Sequence, residues 1–217
     1  MSLVLHAHPF SSNCQKVLIA LYENDLSFEF RMLADPASMA ALEKLWPLKK
    51  FPLLEDDGHV VLETSIIIEY LQLHHPGPVR LLPDDPDAAL EVRLMDRFFD
   101  NYVSTPQSRV VYNALRPPEH RDPYGVEEAK RLLETAYGWL ETRLRGRHWA
   151  AGEAFSMADC AAAPFLFYAD WTHPIGQAFP TVKAYRSRLL ARASVKRAVD
   201  EARPYRKLFP LGAPDRD

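Results

Sequence analysis

Residues 8–16 read HPFSSNCQK, which places Ser11 and Cys14 three positions apart ahead of a helical run. Two cysteines at that spacing would make a redox pair, and here the first is a serine. A serine hydroxyl at the start of a helix can cap it, or it can donate a hydrogen bond to an anion held there. Ser12 offers the same group one residue on. Cys14 falls about one turn into the helix, with its side chain against the strand layer. The stretch keeps an anion-stabilising position and supplies no accessible sulfur of its own, so a thiol from outside is its simplest occupant. A free thiol of pKa about 8.5 is only a few per cent ionised at neutral pH. A charge-assisted hydrogen bond of about 1.5–3 kcal/mol lowers that pKa by about one to two units. On this reading Ser11 activates a thiolate and is not itself a nucleophile.

The elements that must position this stretch alternate short β and helical runs. LVLH (3–6) reads as a strand, NCQKVLIALYEND (13–25) as a helix and SFEFRML (27–33) as a second strand, a βαβ unit. A weak helix around ASMAALEKLW precedes FPLLEDDGHVVLE, two apolar runs about an Asp57-Gly58 turn, and TSIIIEYLQLHH (64–75) returns to helical spacing. Four prolines crowd residues 75–87, and beyond them the β signals stop. The expected organisation is α/β followed by all-α: a thioredoxin-like domain over 1–78, a linker over 79–87 and a helical bundle over 88–217. Helices are expected from Ala88 with a break near Pro106, over Val126–Leu144 and Ser156–Trp171, and after Pro180 and Ser194. The tail PLGAPDRD is expected to be loosely held.

Composition excludes several classes. The chain has 217 residues, 47% of them hydrophobic, enough to fill a core, and its formal net charge of −3 gives no electrostatic reason to bind nucleic acid. The start, MSLVLHAHPF, lacks a signal-peptide pattern, and no apolar run nears the roughly 18 residues of a membrane span. Cys14 and Cys160 make neither a disulfide framework nor a C-x-x-C metal pair and are read as core residues. A cytoplasmic protein without a metal is expected. His6 and His8 lie near the site, and no role is assigned to either.

Four motifs in order resemble the cytosolic glutathione transferases along nearly the whole chain. SSNCQKVLIAL is similar to the serine-type classes (theta, zeta and phi), in which the first serine is catalytic, here Ser11. PLKKFPLLED resembles the loop whose cis-proline follows a residue that offers its backbone to the cysteinyl part of glutathione, here Pro52 and Phe51. LETSIIIEYL resembles the segment that holds the γ-glutamyl end, through Glu63 and Thr64, with threonine in place of the family serine. FSMADCAAAP resembles the buried capping motif, with Ser156 and Asp159. The resemblance implies glutathione as co-substrate and a homodimer with Asp96, Arg97 and Asp100 near its interface. It also implies a helical domain that receives a hydrophobic electrophile, for which Tyr102, Pro106, Tyr112, Tyr168 and Trp171 are candidate lining residues.

Each assignment also has physical sense. A cis bond at Pro52 would turn the N–H and C=O of Phe51 outward to pair with a peptide-like ligand. At a strand-to-helix junction the Thr64 hydroxyl can donate to a carboxylate, while Glu63 attracts an amino group. Lys49 or Lys50 could reach the glycyl carboxylate. Ser11 and Ser12 both stay candidates for the thiolate donor. Conjugation is the leading expectation, with detoxification as its setting. Glutathione-dependent disulfide or peroxide reduction, isomerisation as in the zeta class, and a non-catalytic binding module are the alternatives. Asn13 and Gln15 stand where the zeta run has cysteine and tryptophan, which lowers the case for isomerisation.

Overall fold

In a computed structural model, described over residues 3–217, the chain forms a small mixed sheet with helices followed by an all-helical bundle. Met1 and Ser2, at the head of the expected first domain, lie outside the described residues. The sheet has strands β1 (Leu3–Ala7), β2 (Glu29–Met32), β3 (Leu53–Asp56) and β4 (His59–Val61) in the order β2-β1-β3-β4. β1 and β2 run parallel across helix α1 (Ser12–Glu23), and β3 is antiparallel to both β1 and β4. The β3–β4 turn is made at Asp57 and Gly58, whose φ of 47° and 87° are the left-handed values a tight hairpin requires.

Helix α1 and helix α3 (Thr64–His74) cover one face of the sheet, joining Leu5, Val17, Leu18, Leu21, Ile67 and Leu71 in one core. Helix α2 (Pro36–Leu45) covers the other through Leu42, which packs with Leu33 and Leu53. Residues Cys14–Leu21 of α1 are all buried, because the helix is covered by the sheet on one side and by the bundle on the other.

The bundle begins at α4 (Pro86–Phe98), two residues before the expected Ala88, because Asp85 caps the helix and Pro86 fits its first turn. A π-helical turn, Phe99–Ser104, then leads into α5 (Thr105–Leu115). The expected break at Pro106 is therefore displaced upstream. Pro106 is accommodated at the start of α5 within a continuous helical run, and the irregularity that its ring and missing N–H require falls on the preceding six residues. Helices α6 (Pro123–Arg143), α7 (Met157–Thr172), α8 (Pro180–Leu190) and α9 (Ala193–Ala202) follow.

Helix α7 is the axis of the bundle, buried from Met157 to Trp171. Its start is fixed by a capping box: Asp159 accepts from the Ser156 N–H at 2.9 Å, and its other oxygen accepts from the Ala150 N–H at 2.8 Å and the Tyr185 hydroxyl at 2.6 Å. Buried ion pairs tie sheet unit to bundle. Lys16 of α1, fully buried, lies 2.7 Å from Asp96 of α4 and 3.3 Å from Asp100. Burial holds the Lys16 pKa below its ordinary value, while Asp96 acts in the opposite direction. Asp96, expected near a dimer interface, is buried within the chain as an interior partner of Lys16.

Candidate active site

Ser11 sits in extended backbone as the N-cap of α1, and its Oγ accepts from the Cys14 N–H at 3.4 Å. A hydroxyl that accepts in this way still has its own hydrogen to donate. The capping role and the donor role therefore use different parts of one group. Ser11, Ser12 and Asn13 line a cleft of about 360 Å³ together with Phe10, Tyr168 and Phe209. Cys14 is fully buried, and burial pushes its thiol up to about 12 despite hydrogen bonds from Ser11 and the His8 N–H. The sulfur in this stretch is inert, as a cysteine facing the strand layer should be. Burial also lowers the pKa of His8, whose ring packs edge-on to Tyr205.

A larger cleft, about 680 Å³, adjoins the first and shares Asn13, Lys50, Phe51, Ser108 and Tyr112 with it. It holds Pro52, Glu63 and Thr64 on the sheet side and Arg97, Asp100 and Arg109 on the bundle side. The Phe51–Pro52 peptide is cis. Among the described residues neither the N–H nor the C=O of Phe51 has a hydrogen-bond partner, so both remain open to a ligand.

Thr64 opens helix α3, whose N-cap Glu63 makes no side-chain cap bond. Helices α2, α4 and α6, by contrast, each start under an aspartate that accepts from the helix backbone. The first N–H groups of α3 are thus left for something else at the edge of the cleft, and a carboxylate is what such a terminus binds. Glu63 holds a φ of 67° with no glycine to relieve it, an unfavourable conformation concentrated at the cleft wall. Beside it the Ser65 hydroxyl donates to Asp96 at 2.6 Å and accepts from Lys16 at 3.0 Å, tying the α3 start to the buried ion pair.

Of the two lysines, Lys50 borders both clefts, whereas Lys49 borders the smaller one and pairs with Glu43 at 2.9 Å. Tyr112 and Tyr168 face the clefts. Three other expected lining residues lie elsewhere. Tyr102 is exposed and packs on Phe98, Pro106 is buried within α5, and Trp171 is in the interior against Phe167 and Phe209. Arg97 and Asp100, expected near a dimer interface, border the larger cleft, while Gln107 and Phe10 carry no motif in the sequence and Asn13 enters it only by comparison with the zeta run. Helical spacing alone cannot find Gln107, because the π-helical turn changes the phase between α4 and α5. Among the described residues no His, Cys, Asp or Glu group is arranged to hold a metal, and no helix is long and apolar enough to cross a membrane.

Comparison with known proteins agrees with this arrangement. Residues 5–79 match the family model "Glutathione S-transferase, N-terminal domain", and residues 105–193 match "Glutathione S-transferase, C-terminal domain". The chain is 28% identical to Glutathione S-transferase GstB of Escherichia coli K12 over 72% of its length and 78% of that protein's. It is 27% identical to a probable maleylacetoacetate isomerase of Caenorhabditis elegans over 82% of its length and 84% of that protein's. A crystal structure of a glutathione S-transferase from Methylobacillus flagellatus KT with glutathione bound superposes with a TM-score of 0.80 at 27% identity, covering 91% of this chain and 98% of that one. With both halves matched in order across most of its length, the chain belongs to the glutathione S-transferase family.

Proposed function

We propose that the protein binds reduced glutathione along the larger cleft and transfers it, as a thiolate activated by Ser11, to a hydrophobic electrophile in the smaller one. The observation that carries this reading is the Ser11 hydroxyl, which accepts from the Cys14 N–H at the wall of the smaller cleft and whose own hydrogen can turn from the buried Cys14 sulfur to a ligand thiolate. The larger cleft suits the rest of the tripeptide. The γ-glutamyl carboxylate meets the uncapped start of α3 and the Thr64 hydroxyl, and its ammonium meets Glu63. The cysteinyl backbone pairs with Phe51 beside Pro52, and the glycyl carboxylate meets Lys50, with Lys49 next to it. Holding both reactants in adjoining clefts makes the attack effectively intramolecular.

Self-contained disulfide reduction is disfavoured, because the one cysteine near the site is buried with a raised pKa. Isomerisation has the name of the worm relative in its support and is read out by supplying maleylacetoacetate. A homodimer, a cytoplasmic setting and detoxification go with the transferase reading. The first test is calorimetric titration with reduced glutathione near neutral pH. Saturable one-site binding in the micromolar to low millimolar range is expected. No heat at several temperatures and an unchanged melting temperature at high glutathione would point to a binding module instead.

A further inference from the structure

Away from both clefts, helix α8 turns Lys183, Arg186 and Ser187, spaced i, i+3 and i+4, toward a recess of about 350 Å³ at the end of α7. Asp170 of α7 and Arg216 form its other side, and Pro174 and Ile175 give it an apolar wall. Arg186 is 9% exposed, and its Nε donates to the Leu166 carbonyl at 3.4 Å. The rest of its guanidinium makes no hydrogen bond among the described residues: Nη2 is buried and lies 3.5 Å from Asp170 Oδ2, an ion-pair distance without hydrogen-bond geometry. The Asp170 oxygens are already taken, Oδ1 accepting from the Ile175 N–H at 2.8 Å and Oδ2 from Arg216, which lies in the tail expected to be loosely held. Burial lowers the Arg186 pKa, opposed by Asp170 and reinforced by Arg216. Among the described residues neither the half-buried Lys183 ammonium nor the Ser187 hydroxyl has a partner. A nearly buried guanidinium with most of its donors unspent, beside an unpaired ammonium, is costly unless an anion comes to it.

We propose that this recess is a second binding site, in which Arg186, Lys183 and Ser187 hold a dianionic phosphoryl group, carried by free phosphate or by a small phosphate monoester. The inference goes beyond the transferase reading, and the recess shares no lining residue with either cleft. Three cations, Lys183, Arg186 and Arg216, against the one carboxylate of Asp170 leave two positive charges, which a dianion cancels and a single carboxylate ligand does not. Asp217 also acts on Arg186 from the tail, but its carboxylate is spent on Arg203 and Arg206, and Tyr137 stays neutral because burial raises its pKa. The two Nη groups of Arg186 fork onto two phosphoryl oxygens, and Lys183 and the Ser187 hydroxyl, one turn apart on the same helix, reach a third. Pro174 and Ile175 leave an apolar surface for the carbon chain of an ester.

The test is calorimetric titration of the whole protein with glycerol 3-phosphate and, separately, with inorganic phosphate, at constant ionic strength and mildly alkaline pH, where both are dianions. Saturable one-site binding is expected, weakened about tenfold or more by Lys183→Met, about threefold by Ser187→Ala, and lost in Arg186→Met. Lys50→Met, which removes a cation shared by the two clefts, should leave it unchanged. If Arg186→Met lowers the melting temperature, Lys183→Met and Ser187→Ala carry the test. Tighter binding of the ester assigns the site to a phosphorylated small molecule, and tighter binding of inorganic phosphate assigns it to the free ion; either supports a phosphoryl site. No saturable heat with either ligand, or binding that Lys50→Met abolishes and Lys183→Met leaves intact, overturns it. Glutathione binding is titrated separately, so failure of this site leaves the transferase reading standing.

Discussion

The Ser11 hydroxyl accepts from the backbone of its own helix and keeps one hydrogen to give, so its removal should have two separable effects. Losing the cap lowers stability by about 1 kcal/mol in chemical denaturation, as for other serine caps. Losing the donor lowers kcat by about ten- to thirtyfold, the equivalent of about 1.5–2 kcal/mol of thiolate stabilisation, with a smaller change in glutathione affinity. Ser11→Ala is the variant, and equal losses in kcat and affinity would contradict the donor role. Ser12→Ala serves as the comparison and should retain turnover. Cys14 yields a prediction of the opposite kind. With its thiol pushed up to about 12 by burial, it should resist iodoacetamide in the folded protein at mildly alkaline pH and react, with Cys160, only after denaturation. Labelling of native protein would show that the α1 start opens.

At the scale of elements, the start of α3, which no side chain of its own caps, is the binding device of the proposed function. Thr64→Val removes the hydroxyl at nearly constant shape and should weaken glutathione about five- to twentyfold by calorimetry, whereas Thr64→Ser should bind at least as well as wild type. The buried pair between α1 and α4 is the joint that sets this terminus against the bundle. Lys16→Met leaves Asp96 without its partner and should cost about 3–5 kcal/mol in denaturant unfolding, and a second change, Asp96→Leu, should recover part of that loss. Full additivity of the two would argue against the pairing.

These elements were unequally legible in the sequence. The hairpin could be read because Asp57-Gly58 states its turn type locally, and the α7 capping box because Ser156 and Asp159 lie three apart. The thiolate position, the cis-proline loop and the Glu63-Thr64 junction were each carried by a few contiguous residues. The wall of the smaller cleft was not. It is assembled from α1, α5, α7 and the stretch near Phe209, and the π-helical turn at 99–104 rotates α5 out of the phase that continued α4 periodicity gives. Tyr102 therefore points away, and Gln107 and Ser108 point inward.

In the molecule as a whole, one face remains apolar. Leu90 and Leu94 lie one turn apart on α4 and are 61% and 52% exposed, and Ile66 and Leu73 on α3 are similarly uncovered. The Arg93–Glu69 pair, 2.7 Å, joins the two helices along this face. Such a stripe suits a two-fold contact with a second copy. Sedimentation should give the mass of two chains, and Leu94→Asp should give that of one; a monomeric wild type would contradict the dimer. The proposed function spans the molecule from the α1 start through both clefts, in that the fold would ionise a thiol it does not own. Its most direct test is the thiolate absorbance of bound glutathione followed against pH in wild type and Ser11→Ala. The wild type should ionise its ligand about one to two units below free glutathione, and the variant should move that value back toward the free one. A bound thiol that titrates as it does in solution, or a lowered value that Ser11→Ala leaves in place, would contradict the account.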